Sequence, residues 1–235
     1  MNVDELLAEY LNEKIEVAQE LDESFADLWG HIKDLVLAGG KRSRPKLVID
    51  TYTAHGGRDT SKAMNIAAAW EMIHVSLLIH DDIMDGDIER RGRPTIEAIY
   101  QDRNVAILAG DLCLSAAGEL VLNSRLTLKL KATITSLLHT AYQETIAGQL
   151  LDIDAKKHDP LKVAEYKTSK YSFVGPMLSG ALVAGANKHD LHLLRQNGIN
   201  QGIAFQLQND LDDIEQDLAA GRHTIATWLL EEQGS

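Results

Sequence analysis

The chain has 235 residues, 45% of them hydrophobic, which is enough for one good-sized core and fits a single domain over residues 1–235. Its 35 acidic residues outnumber its 23 lysines and arginines, and the formal charge of −12 argues against nucleic acid as a partner, because phosphate neutralisation needs a basic surface. The lone Cys113 excludes an internal disulfide, the N-terminus lacks the positive charge of a signal peptide, and no apolar run nears the ~20 residues of a membrane span. We therefore expect a soluble cytoplasmic protein without a transmembrane segment.

Helical spacing of apolar residues dominates the chain, for example through Leu6, Leu11 and Ile15 and again through Val105, Ala109 and related positions. Glycine and proline breaks separate these stretches, and alternating β-branched runs are few. The pattern predicts an all-α bundle of roughly eight to ten helices.

The first unusual segment is GGKRSRPK, residues 39–46, which places four cations at a glycine break just before a helix. Free backbone N–H groups at a helix start also favour anions. The segment therefore predicts an anion site. A solvated basic loop remains the alternative for Arg42 and Lys46.

The next segment is a predicted long helix from Trp70 to about Asp85, which is so apolar that it must be buried on most faces. Asp81 and Asp85 are i,i+4 neighbours on one face, with Asp82 beside them, and like charges so placed repel unless a cation lies between them. Carboxylate oxygens are hard ligands suited to Mg²⁺. A solvated acidic helix end is the alternative.

Two arginines follow this helix in a glycine-containing loop, where Arg90 and Arg91 offer planar forks for phosphate oxygens. Two basic clusters in an otherwise acidic protein indicate a phosphorylated ligand. Arg93 can equally belong to a solvated loop. His74 taken alone is best interpreted as a core histidine.

A second acid cluster lies in GIAFQLQNDLDD, residues 202–213, where Gln206, Asp210 and Asp213 share one helical stripe. Two acid-tipped helices facing each other would form a pocket for divalent ions that hold a polyphosphate. The alternative is two unrelated solvated helix faces.

These motifs resemble, in order, those of the trans-isoprenyl diphosphate synthases (polyprenyl synthetases): GGKRSRP, then residues 71–95, then Gly110-Asp111, Lys167-Thr168 and residues 202–213. The resemblance spans about residues 37–228. It implies an all-α isoprenoid-synthase bundle with a central cavity, usually a homodimer. It also implies Mg²⁺-dependent, head-to-tail 1′-4 condensation of an allylic diphosphate with isopentenyl diphosphate.

The resemblance also implies residue roles. The metal ligands would be Asp81, Asp82, Asp85 and Asp210. The allylic diphosphate would contact Arg90, Lys167 and Gln206, and isopentenyl diphosphate would be bound by Lys41, Arg44, His74 and Arg91. Oxygens of Thr168 and Gln206 would stabilise the carbocation, and the departed pyrophosphate would take the final proton.

Product length in this family depends on side chains about one turn before Asp81, which act as a floor. Those positions here are Ser76 and Leu77. The small Ser76 favours a product of C20 or longer, although Leu77 and Ile73 could still block the tunnel.

The chain departs from the family pattern in three places. Asn209 replaces the first aspartate of the second motif, the usual loop with a lysine after Asp213 is missing, and the chain stops at Ser235, several tens of residues before the usual end. Arg222 stands where a later lysine is expected. A non-catalytic regulatory subunit of a heteromeric prenyl synthase therefore stays an alternative. A class I terpene cyclase would not need Lys41, Arg44 and Arg91.

Overall fold

The structure, a computed structural model, describes residues 2–154 and 158–233. The helices are α1 Val3–Gln19, α2 Glu23–Leu37, α3 Ser43–Ala54, α4 Ser61–Asp85, α5 Ile96–Tyr100, α6 Arg103–Leu122, α7 Leu128–Ile153, α8 Pro160–Ala164, α9 Gly175–Ala184, α10 Lys188–Asp212, α11 Ile214–Ala220 and α12 Ile225–Gln233. A π-helical segment, Glu165–Val174, joins α8 to α9. A short antiparallel hairpin, β1 Glu89–Arg90 and β2 Arg93–Pro94, is the one strand pairing in the described residues.

The long helix α4 is the centre of the bundle. It begins at Ser61, well before the predicted start at Trp70, because the alanine-rich stretch that precedes Trp70 favours the helix. It ends at Asp85, where Gly86 takes the left-handed conformation that closes a helix. The fully buried Trp70 donates a hydrogen bond to Ser179 in α9 at 2.9 Å. The helix thus carries the first aspartate motif from the core to the surface.

Helix α6 packs along α4 through small residues such as Ala106, Ala109 and Ala116, which are buried. Within residues 2–154 and 158–233, it is the one helix that is long and apolar enough to cross a membrane by length and composition. This differs from the expectation that no apolar segment reaches that length. Core helices satisfy the same criterion, so the absence of a transmembrane segment stays a prediction.

The basic segment is fastened to the core by Arg42, which has a left-handed backbone at the start of α3. Its guanidinium pairs with the buried Glu71 at 2.5 Å and with Asp4 at 2.8 Å, and it also donates to the carbonyl of Val36. The alternative of a solvated Arg42 is therefore wrong, since the side chain is a structural ion pair. The sequence reasoning missed Glu71 as its partner.

The π-helical segment lies against α7 and α10 at very short distances. A Cβ atom at Gly148 of α7 would collide with the backbone of Lys167, and one at Gly202 of α10 would collide with Ser169. Glycine is therefore required at both crossings. This packing brings Lys167 and Thr168 between the two helices that carry Gln149 and Gln206.

Candidate functional site

An open cavity of about 610 Å³ lies where the C-terminal ends of α4, α7 and α10 meet. In the described residues its lining includes carboxylates, amides and the Lys167 ammonium group, together with apolar side chains such as Leu151 and Ile153. The residues that matter for its chemistry are Asp85, Gln149, Asp152, Lys167, Gln206, Asn209, Asp210, Asp213 and Arg222. Asp85 of the first aspartate motif and Asn209, Asp210 and Asp213 of the second therefore line one cavity, whereas Asp81 and Asp82 are not among the residues that line it.

Lys167 and Asp152 form an ion pair on one wall of the cavity, with Asp85 in the same lining. Lys167 Nζ lies 2.5 Å from Asp152 Oδ2. Burial raises the pKa of Asp81, Lys167 opposes that rise, and the nearby Asp85 and Asp152 add to it. Asp152 and Gln149 were missed by the sequence reasoning, although an acid in the last turn of a long helix was a visible signal.

Asp82 belongs to a different arrangement, because its buried carboxylate accepts a hydrogen bond from Arg90 Nε at 2.6 Å and forms an ion pair with Nη2 at 2.5 Å. The same guanidinium reaches Asp87 at 2.8 Å. Burial raises the pKa of Asp82, and Arg90 opposes that rise. The sequence predicts that Asp82 binds metal and that Arg90 binds diphosphate. In the structure these two side chains are paired with each other beside the hairpin.

The residues of the predicted anion site lie between the basic segment, α4 and the hairpin. Arg44 donates to Tyr171 at 2.8 Å and to Ser172 at 2.6 Å, and its Nε is buried without a partner in the described residues. Arg91 lies against the backbone of Gly40, where a Cβ would come within 3.0 Å of its Nη2. Lys41 is exposed in the same segment. Three predicted cations are therefore close to one another.

His74 lies beside these cations with its Nδ1 buried and without a hydrogen-bond partner in the described residues. Burial holds its pKa well below the usual range, and Arg44 and Arg91 lower it further. The ring is therefore neutral near pH 7. An unpaired ring nitrogen next to guanidinium groups can donate to or accept from an anionic ligand.

A chain of hydrogen bonds links the second motif to the π-helical segment and to α12. Thr168 Oγ1 donates to Gln206 Oε1 at 2.7 Å, and Gln206 Nε2 donates to Asp210 Oδ1 at 2.8 Å. Asp210 Oδ2 accepts from the backbone N–H of Ile225 at 2.9 Å. Asp210 is only 5% exposed, so both of its oxygens are engaged inside the protein. Asn209 and Asp213 also line the cavity, and both residues are more exposed than Asp210.

The segment after the second motif is short and helical. Helix α11 follows Asp213 directly, and Arg222 then pairs with the buried Asp217 at 3.4 Å. Burial raises the pKa of Asp217, and Arg222 opposes that rise. Arg222 is 70% exposed at the cavity edge, where its guanidinium can reach a ligand.

Carboxylate oxygens are suitable ligands for a divalent cation, and the first aspartate motif carries several of them. Asp152 is paired with Lys167 at 2.5 Å. In the part of the chain that the structure describes, however, no three His, Cys, Asp or Glu side chains converge tightly enough to hold a metal. The second wall fits less well, because Asn209 is neutral and Asp210 is engaged.

The sequence matches the family model described as polyprenyl synthetase over residues 27–226. It is 34% identical over 220 residues to the short chain isoprenyl diphosphate synthase of Methanocaldococcus jannaschii, covering 91% of this chain and 65% of that relative. It is 36% identical to the farnesyl diphosphate synthase of Micrococcus luteus over 187 residues, covering 76% of this chain and 63% of the relative.

Solved structures show the same architecture. The geranylgeranyl pyrophosphate synthetase from the archaeon Geoglobus acetivorans superposes with a TM-score of 0.81 at 30% identity, covering 99% of this chain and 78% of that one. A geranylgeranyl pyrophosphate synthase from Corynebacterium glutamicum, complexed with isoprenyl diphosphate and magnesium, gives 0.79 at 28% identity, covering 90% and 68%. The chain spans less than two thirds of the two curated relatives just described.

Proposed function

Because the chain belongs to the polyprenyl synthetase family, we propose that it is a Mg²⁺-dependent trans-prenyltransferase. It condenses an allylic diphosphate with isopentenyl diphosphate, head to tail, into a linear isoprenoid diphosphate. The family and the all-α fold that the motifs predict are confirmed. The observation that supports the activity best is the cavity that Asp85 of the first motif shares with Lys167, Gln206 and Asp210. Arg44, whose buried Nε has no partner in the described residues, supports a second diphosphate site.

The allylic diphosphate is bound at the carboxylate wall in this proposal. Asp81 and Asp85 would hold Mg²⁺. Asp82 and Asp210 would serve as further ligands only in place of their present bonds to Arg90 and the Ile225 N–H. Bound Mg²⁺ supplies positive charge that neutralises the diphosphate and improves it as a leaving group. Lys167, and Arg90 when it turns from Asp82, add charge-assisted hydrogen bonds to the same phosphate oxygens.

Isopentenyl diphosphate is bound by Lys41, Arg44, Arg91 and His74. Arg44 supports this assignment because its buried Nε–H has no partner in the described residues. Tyr171 and Ser172 accept hydrogen bonds from the same guanidinium group and hold it in place. A fork held in this way loses little conformational freedom on binding. The neutral His74 adds a hydrogen bond without adding repulsion among the cations.

Thr168 and Gln206 stabilise positive charge on the allylic fragment. The Thr168 hydroxyl donates to Gln206, so the lone pairs of its oxygen remain available to a developing cation. The predicted product is C20 or longer, and the geranylgeranyl synthases among the solved relatives support that length.

The organisation of the protein is also part of the proposal. A single domain is supported by a hydrophobic core whose buried residues run from Leu6 to Tyr142, with Tyr171 and Val183 packed against it. A homodimer is supported by the exposed apolar side chains Ile107, Leu108 and Leu122 on α6, which a partner subunit would cover. A cytoplasmic location rests on the lone, buried Cys113.

A second candidate function is a non-catalytic regulatory subunit of a heteromeric prenyl synthase. Asn209 and the engaged carboxylate of Asp210 favour it, because they weaken the second metal wall. Such a subunit would still bind diphosphate through Lys167 and the arginines.

An incorporation assay separates the two functions. Radiolabelled isopentenyl diphosphate is supplied with Mg²⁺ and each of the C5, C10, C15 and C20 allylic diphosphates, and products are resolved by length. We expect elongation that disappears on chelation and in a variant with Asp81→Ala and Asp85→Ala. A folded protein that binds pyrophosphate but incorporates nothing with any primer would establish the regulatory subunit instead.

A further inference from the structure

A buried carboxylate, Glu71 of α4, lies beside the basic segment. It is only 2% exposed, and its Oε1 is 2.5 Å from Nη1 of Arg42. An ionised carboxylate is costly to bury without a partner, and losing one member of a buried ion pair leaves the other charge uncompensated. Glu71 and Arg42 therefore depend on each other.

The Arg42 guanidinium joins three helices to the basic segment. It bonds to Glu71 of α4, donates from Nη2 to the carbonyl of Val36 in α2 at 2.5 Å, and donates from Nε to Asp4 in α1 at 2.8 Å. The Asp4 side chain is 57% exposed, and exposed ion pairs contribute little to stability. Glu71 is therefore the charged partner that holds Arg42.

The backbone of the basic segment needs such a contact. Its φ angles are positive at Gly39 (101°), Gly40 (129°) and Arg42 (47°). Glycine adopts such angles freely, but an arginine does so only where its surroundings stabilise the conformation. Lys41 precedes Arg42 directly and Arg44 follows it closely. The contact that holds residue 42 therefore also influences where these two cations lie.

Glu71 also acts on Arg91, which lies against the backbone of Gly40. Burial lowers the pKa of Arg91, and Glu71 opposes that change. Arg42 and Arg44 lower it further, as nearby like charges do. In the ligand-free protein, Glu71 therefore offsets part of the repulsion among these guanidinium groups.

We propose that Glu71 is a positioning residue for the isopentenyl diphosphate site. Through Arg42 it fixes the segment that carries Lys41 and Arg44, and its charge keeps Arg91 beside that segment before the ligand binds. Glu71 itself does not touch the diphosphate, because the two anions would repel each other. This inference rests on the proposed prenyltransferase function.

The sign of one effect separates positioning from general electrostatics. Glu71→Gln removes a negative charge near an anion site, so Coulomb attraction alone predicts tighter binding of isopentenyl diphosphate. Positioning predicts the opposite, namely a KM for isopentenyl diphosphate that rises by about tenfold while kcat and the KM for the allylic diphosphate change by less than about twofold. The incorporation assay measures these constants. Calorimetry with isopentenyl diphosphate, without Mg²⁺, should show the same loss of affinity without turnover.

Further variants test whether the effect passes through Arg42. Glu71→Asp keeps the charge and should lie between the wild type and Glu71→Gln. Arg42→Lys keeps a positive charge but loses the planar fork, so we expect it to match Glu71→Gln, and it replaces that variant if Glu71→Gln does not fold. Asp4→Asn removes the exposed partner of Arg42 and should change the KM by less than about twofold.

A stability control is available on the same helix. Ser179→Ala removes the buried hydrogen bond to Trp70, which is next to Glu71 in α4. It should lower the temperature of thermal unfolding without raising the KM for isopentenyl diphosphate. An equal rise of the KM in Ser179→Ala and Glu71→Gln would contradict the positioning role, because any loss of stability would then have the same effect.

The remaining outcomes are distinguishable. If the wild type elongates primers and Glu71→Gln has an unchanged or lower KM for isopentenyl diphosphate, the role of Glu71 is refuted while the proposed function stands. If no protein incorporates isopentenyl diphosphate, the proposed function fails and the calorimetry decides. Binding by the wild type that weakens in Glu71→Gln would then support positioning in a diphosphate-binding subunit. No binding by the wild type would overturn the positioning role as well.

Discussion

The carboxylate of Asp210 accepts the backbone N–H of Ile225 at 2.9 Å, so the second aspartate motif is bonded to the first turn of α12. Free N–H groups at a helix start are satisfied by such acceptors, and a negative charge there is favourable. The Asp210 carboxylate therefore stabilises the start of α12 in the ligand-free protein. A metal at this wall has to compete with that bond.

We expect Asp210→Ala to lower the free energy of unfolding by about 1–2 kcal/mol, because α12 loses its cap. Urea denaturation measures the change, and hydrogen exchange should show faster exchange at residues 225–232. Asp212→Ala is the control, since Asp212 is exposed on the same helix and bonds only locally to Gln208. Equal effects of the two substitutions would contradict a capping role.

His74 predicts a pH dependence of stability. Its folded-state pKa is depressed by burial and by Arg44, while an unfolded histidine titrates near ~6.5. Above that pH both states are neutral and the group contributes nothing. Below that pH the unfolded chain binds a proton at His74 and the folded protein does not. The free energy of unfolding therefore falls as the pH falls.

His74→Asn should reduce this loss by at most about 1.4 kcal/mol per pH unit below pH ~6.5. Urea denaturation at pH 5, 6, 7 and 8 measures the slope for both proteins. The exposed His189→Asn should keep the wild-type slope. An unchanged slope in His74→Asn would mean that folding does not lower the pKa of His74.

Lys167 is predicted to bind diphosphate independently of any turnover. Lys167→Met keeps the length of the side chain and removes its charge, so we expect pyrophosphate binding with Mg²⁺ to weaken by about tenfold or more in calorimetry. Lys162→Met on α8 removes an equal charge from an exposed lysine and should leave affinity close to wild type. Similar losses in both variants would indicate general electrostatics rather than a specific contact.

The exposed apolar face of α6 predicts the subunit interface. Leu108 is 57% exposed, and Leu108→Glu would place a charge in the contact between two copies. Light scattering after gel filtration should give a dimer mass for the wild type and a monomer mass for the variant. Leu21→Glu, at an exposed leucine between α1 and α2, should stay dimeric. A wild type that is monomeric at all concentrations would refute the interface.

Local spacing made the first aspartate motif predictable, since Asp81 and Asp85 lie one helical turn apart after an apolar helix. The basic segment was predictable from its charge alone. The partners of these residues were not, because Glu71, Asp152 and Ile225 are distant in sequence from Arg42, Lys167 and Asp210. Such contacts depend on how whole helices cross, which no local pattern contains.

The π-helical segment has a consequence for how this sequence is aligned with others. Its hydrogen bonds close over one more residue than those of an α-helix, which changes the rotation between successive side chains. Deleting a single residue after Thr168 would let the segment revert to the ordinary pitch while Gly148 and Gly202 still fix its two crossings. Lys167 at the α7 crossing and Ser169 at the α10 crossing could then not both keep their present contacts. An alignment that moves a gap into residues 165–174 would therefore pair these two residues with positions that lie on another side of the helix.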